Sequence, residues 1–96
     1  MARRTIALSP RYLSDASALG IIGGSDASRR IARVAAQLAT ADMLPEPGDI
    51  TTLAPADERR VMMLAHVRRI EERNLWLWYA PRGGQLVLGA LTANPP

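Results

Sequence analysis

Between residues 26 and 43 the apolar positions recur at helical spacing: Ala27, Ile31, Val34, Ala35 and Leu38 share one face, and Arg29, Arg30, Arg33 and Gln37 lie off it. A helix there starts from a Ser25 or Asp26 cap, whose side-chain oxygen satisfies the first free amides. Upstream, Ser9 followed by Pro10 is a cap with proline at the first helical position. It predicts a short helix over residues 10–19 with Tyr12, Ala16 and Leu19 on one side. Gly20 supplies the left-handed stop, "GIIGG" reads as a tight connector, and residues 5–9 read as a short strand. The segment "LPEPGDITTLAP" holds three prolines and one glycine in twelve residues, so it reads as loop, with residues 49–53 able to pair briefly at a sheet edge.

In "APADERRVMMLAHVRRIEERN" the spacing predicts a third, long helix over residues 56–73. Asp57 and Glu58 stand in the first turn and Arg68, Arg69 and Arg73 in the last turns, the order a helix dipole favours, and Asn74 closes it. Ala56, Met63, Val67 and Ile70 stack on one face with Leu64 at its border, while Arg59, Met62, His66, Arg69 and Arg73 line a neighbouring face. A strand is the alternative for residues 61–67. Their odd and even positions are both mostly apolar, so alternation alone leaves the choice open.

After Asn74 the pattern turns to strand. Residues 75–80 and 85–92 flank "PRGG" and predict an antiparallel hairpin. Leu75, Leu77 and Tyr79 point one way and Trp76 and Trp78 the other; on the return strand Leu86, Leu88 and Ala90 oppose Val87 and Leu91. Neither face is polar, and each Trp buries on the order of 150 to 250 Å². The helices cover one face; the other is covered by a protein partner or second subunit docked on Trp76 and Trp78, or is itself internal core. The expected fold class is α+β: a small helical N-terminal part, a long helix and a C-terminal antiparallel hairpin, forming one domain over residues 1–96.

Composition narrows the function. A chain of 96 residues with 48% hydrophobic residues supports one core. The absence of cysteine removes disulfide and thiolate chemistry and points to a cytoplasmic setting, and no apolar run approaches the ~20 residues that would imply a membrane span. All 12 basic side chains are arginine, against 9 acids, for a net charge of +3. Planar guanidinium forks suit phosphates, so DNA is the partner the charge suggests. One histidine and no cysteine cannot build a soft metal site, adjacent Glu71 and Glu72 diverge on a helix, and neither "GIIGG" nor "RGG" is a phosphate-cradling loop. No catalytic residue, metal or cofactor is expected, and the chain is not expected to be an enzyme.

"HVRRIEERNLW" followed by "PRGGQLVLGALT" resembles the end of the recognition helix and the wing of winged helix-turn-helix regulators of the ArsR-like and MarR-like kinds, over about residues 66–92. The resemblance implies a small DNA-binding transcriptional regulator, commonly a dimer. Its helix would carry Arg59, His66, Arg69 and Arg73 to the DNA, Val67 and Ile70 would pack beneath, and Arg82 would sit at the wing tip. The order of elements also resembles the RelE/ParE-like toxins, which include ribosome-dependent ribonucleases and gyrase poisons. In that reading "TIALSPRYL" is the first strand and helix entry, "LVLGALT" the last strand, and residues 61–70 must be a strand. The end "LTANPP" lacks the basic or aromatic groups such ribonucleases place there. A third reading is a phage or mobile-element protein that docks on a protein partner through its Trp hairpin.

Overall fold

The computed structural model describes residues 3–44, 49–53, 64–70 and 73–94. In chain order the elements are β1 (Thr5–Leu8), α1 (Pro10–Ala18), α2 (Asp26–Thr40), β2 (Ile50–Leu53), β3 (Leu64–Arg69), β4 (Trp76–Arg82) and β5 (Gln85–Thr92). The five strands form one sheet in the order β1-β5-β4-β3-β2. β2 to β5 are antiparallel neighbours, and β1 returns to pair parallel with β5, Thr5 opposite Gln85 through Leu8 opposite Leu88. The class is α+β, with more sheet than the helix-then-hairpin layout expected.

Local signals account for both helices. Ser9 caps α1, its Oγ accepting from Tyr12 N at 3.0 Å with Pro10 next in the chain, and Ser25 caps α2, accepting from Ser28 N at 3.2 Å. Leu19 ends α1 and Gly20, at φ 71°, makes the left-handed exit. On α2 the expected stripe of Ala27, Ile31, Val34, Ala35 and Leu38 is the buried one, joined by Ala39. It packs with Tyr12 of α1 on Ile70, Leu75, Leu77, Tyr79, Leu86, Leu88 and Leu91, the main core between helices and sheet.

The long helix is where the expectation fails. Residues 64–69 are extended and pair on both sides, Thr51 opposite His66 toward β2, and His66 opposite Tyr79 and Val67 opposite Trp78 toward β4. The expected front of that helix, with Arg59, lies outside the described residues. Val67 and Ile70, which a helix would stack together, face opposite sides of the sheet: Val67 packs with Ala65, Trp78 and Ala90, and Ile70 joins the helix-side core. Both faces of β3 are needed, so its apolar residues show no period-2 contrast, and ladder pairing with two neighbours outweighs the helical spacing.

The hairpin is a correct expectation in outline, with β4 running two residues further, to Arg82. A two-residue Gly83–Gly84 turn closes it, with φ 60° at Gly83 as II′ turns require. Pro81 lies beyond the register that β3 keeps with β4, where its missing N–H removes no rung from that ladder. One facing assignment is reversed. Trp78 pairs with Ala90 but Tyr79 with Leu88, so Gly89 is an extra residue, a bulge that turns Ala90 to the Trp78 side and Leu91 to the helix side.

The bulge is tied to the N-terminal elements. Ser9 Oγ donates to the Gly89 carbonyl at 2.9 Å, Ser9 N donates to Leu88 O at 3.1 Å, and Asp15 accepts from Leu91 N at 3.0 Å. Leu38 is fully buried in the main core, whereas Leu13 on α1 is 53% exposed. Leu38→Ala is therefore expected to lower the unfolding free energy by about 2 to 5 kcal/mol. Leu13→Ala should stay within about 0.5 kcal/mol of the parent in the same urea titration.

Candidate functional site

β3 divides its side chains between two environments. Ala65, Val67 and Arg69 face away from the helices, and His66 and Arg68 face the helix side, opposite Tyr79 and Leu77 of β4. On the far face Ala65, Val67, Trp78 and Ala90 form a second apolar cluster against which Trp76 packs. Trp78, expected either to await a partner or to be internal core, is buried within this chain, and its Nε1 donates to Thr92 Oγ1 at 3.0 Å. Trp76 is half-buried, with the Arg69 guanidinium carbon 5.9 Å from its ring centroid, a cation–π contact.

The arginines expected on one helix face are thereby distributed. Arg69 Nε donates to the Arg73 carbonyl at 3.1 Å, and Arg73 reaches across to Asp26 at the start of α2, at 2.6 Å. Arg82 is exposed at the hairpin tip, six positions along β4 from the Trp76 that pairs with Arg69, or roughly 20 Å at strand spacing. The structure brings Arg69 and Arg73 together, places His66 on the opposite face from Arg69, and sets Arg82 apart.

A polar corner not anticipated from the sequence gathers on the helix side, at the β2 and β3 end of the sheet. The Asp49 side chain is fully buried, although the residue as a whole is only partly so, and its carboxylate accepts from Arg68 Nε at 2.5 Å and from the Tyr79 hydroxyl. His66 lies beside them, its ring centroid 5.4 Å from that of Tyr79, with Nδ1 2.9 Å from Thr51 Oγ1. A buried carboxylate held by charged and hydroxyl donors, the Arg68 guanidinium and the Tyr79 phenol among them, is the arrangement low polarity demands of a charge. Chemically the corner offers one imidazole and one guanidinium two positions apart on a strand, a spacing able to meet an anionic group. It also pins the β2 edge to the rest of the sheet, which needs no ligand. The signal for it was the polar pair His66 and Arg68 alternating with the apolar Ala65 and Val67, legible only once the strand is known.

Among the described residues no group of three or more His, Asp or Glu side chains is placed to hold a metal, and no helix is long and apolar enough to cross a membrane.

Asp26 is the junction of a second charge cluster. Its carboxylate receives Arg73 and, at 2.9 Å, Arg30. The hydrogen bond from Arg73, then that from Arg30, lowers its pKa to about 2. A depressed carboxylate contributes stability that is present above its unfolded pKa and is lost as pH falls through the folded value, so this tie should open between about pH 4 and pH 2. A carboxyl-carbon NMR titration should place the Asp26 midpoint near 2, and Arg73→Ala should move it up toward the ordinary carboxylate range. At the polar corner, Asp49→Ala leaves the Arg68 charge and the Tyr79 hydroxyl without their shared acceptor. It is expected to lower the unfolding free energy by about 3 kcal/mol in a urea titration.

Comparison with known proteins finds no match to this chain among protein-family models, curated proteins or solved structures.

Proposed function

We propose that the chain is a toxin-type domain of the RelE/ParE-like kind, a small basic body that disables a nucleic-acid machine by binding it rather than by cutting a bond. The observation that carries this reading is the extended conformation of Leu64–Arg69. The resemblance requires a strand within residues 61–70, preceded by one strand and two helices and followed by the terminal strands, and the order β1-α1-α2-β2-β3-β4-β5 meets that requirement. Fold-level likeness alone does not carry an activity, so the mode of action is argued from the side chains.

Two features favour binding over cleavage. The last strand ends in Leu91 and Thr92 and is followed by Ala93 and Asn94, without the basic or aromatic groups that ribonucleases of this kind place there. Within the polar corner, Arg68 is committed to the buried Asp49, and His66 is held through Nδ1 by Thr51. A guanidinium already neutralised at close range is a weak stabiliser of charge developing on a phosphate.

A DNA-reading regulator is supported by the all-arginine composition and the exposed Arg82 at the hairpin tip. It would have to present Arg69, Arg73 and Arg82 from strand ends and turns, because residues 64–69 offer no helix to lie in a groove. It is therefore the second reading.

Induced expression of the full chain in a bacterial host tests the proposal. Growth arrest is expected, with messenger RNA intact and with gyrase-linked DNA breaks accumulating. Codon-position cleavage of messenger RNA on ribosomes would replace binding by catalysis. Unimpaired growth, together with tight DNA binding whose salt slope falls on Arg82→Ala, would replace the toxin reading by the regulator.

A further inference from the structure

β1 ends the strand order, and its backbone is divided between two directions. Thr5 N donates to Gly84 O at 3.1 Å and Ser9 N to Leu88 O at 3.1 Å, so the odd positions face β5. Strand geometry then turns the N–H and C=O of Arg4, Ile6 and Leu8 outward. This outward run is closed at both ends. The Arg4 N–H donates to the Ala39 carbonyl of α2 at 2.8 Å, and Pro10 has no N–H to offer. Between them, among the described residues, nothing takes the rungs at Ile6 and Leu8, whose side chains are 41% and 48% exposed. Thr5–Leu8 holds neither charge nor proline, two of the devices that ordinarily blunt such an edge.

We propose that this edge joins two copies of the chain, β1 pairing antiparallel with the β1 of a second copy about a two-fold axis at Ala7, so that the two sheets run on as one. The register follows from the rungs, because only outward-facing positions exchange hydrogen bonds across such a seam. An axis at Ala7 sets Ile6 against the partner's Leu8 and Leu8 against the partner's Ile6, and every open N–H and C=O is taken. The next outward pair is Arg4 against Pro10, where one N–H is already spent and the other does not exist. An axis at Ile6 would oppose Leu8 to the closed Arg4, and one at Leu8 would oppose Ile6 to Pro10. Self-pairing about Ala7 alone satisfies the edge.

The side chains agree with that register. Ile6 and Leu8 stand opposite Leu86 and Leu88, on the helix side of the sheet, and across the axis each meets the other's counterpart. A groove of about 490 Å³ beside β1, with Ile6, Ala36 and Ala39 in its lining, gives the partner's Leu8 an apolar seat. Past Ser9 the partner's chain enters α1, which is tied to β5 through Tyr12 and Asp15, so it turns back over its own sheet and clears the α2 end beside Arg4. Each copy carries a net charge of +3, and the exposed Arg3 lies near the seam, so the copies repel at range and salt screens the repulsion. With two rungs on each side, the seam is far smaller than the about 1,200 Å² of a stable interface, and the dimer is a weak one. The proposal is independent of the toxin reading, since none of its residues belongs to the polar corner.

The test follows the full chain by sedimentation equilibrium and amide exchange from micromolar to millimolar concentration. A monomer–dimer equilibrium is expected that tightens as salt rises, with exchange at Ile6 and Leu8 slowing at least tenfold as the dimer fills. A mixture of labelled and unlabelled chain should give nuclear Overhauser contacts between Ile6 and the partner's Leu8. Ile6→Lys, at an exposed site, sets a charge against the partner's Leu8 and should weaken association at least tenfold while the amide shifts of Thr5 and Ser9 stay in place. Adding Leu8→Glu faces each introduced ammonium with an introduced carboxylate across the axis at Ala7, and should restore association. A monomer throughout the range, association that weakens as salt rises, protection or contacts that map away from Ile6 and Leu8, or a double variant no tighter than Ile6→Lys alone overturns the proposal.

Discussion

Everything in this molecule depends on β5 being held from three directions. It pairs antiparallel with β4 and parallel with β1, and its Leu86, Leu88 and Leu91 carry the helices. A parallel neighbour cannot be reached by a tight turn, so the chain must leave β1, pass through both helices and return. Ser9 and Asp15 fasten this arrangement with polar contacts to the β5 backbone, at Gly89 and at Leu91. One hydroxyl both caps α1 and satisfies the carbonyl of the bulge, which couples the direction of the helix to the kink in the strand.

How far the sequence was legible follows from the range of the interactions involved. The caps at Ser9 and Ser25, the buried stripe of α2 and the Gly83–Gly84 turn are local, each decided within a few residues. The strand at 64–69 is decided by β2 and β4 on either side, and nothing within the segment records those neighbours. Guanidinium groups at 68, 69 and 73 mimic the charged end of a helix, and Val67 with Ile70 mimics its buried stripe. The bulge at Gly89 was equally hidden, because a single unpaired residue reverses the facing of every later position while leaving the strand-like composition intact. Of the candidate site, the arginines were visible as residues; their partners Asp49 and Asp26, 19 and 47 positions away, were not.

Those partners change what the positive charge means. A composition of twelve arginines against nine acids suggests an open cationic surface, yet Arg68 is engaged by Asp49, and Arg30 and Arg73 share Asp26. Arginine here works as a cross-link as much as a lure, its planar fork bridging elements that the apolar core does not reach. The cations at Arg3 and Arg82 are exposed to solvent toward the same end of the sheet, where Arg82 lies opposite Gln85 and Gln85 opposite Thr5, so the electrostatic reach of the molecule is set by where the acids are as well as by net charge.

The bond between Ser9 and Gly89 spans 80 positions. In a growing chain β1 and α1 are made long before β5 and wait without their strand until it is in place. The helices can gather early, but the sheet closes only once β5 is available, and contacts of such long range are slow to form. Closure of such a body is therefore set by its most distant pairing rather than by its helices.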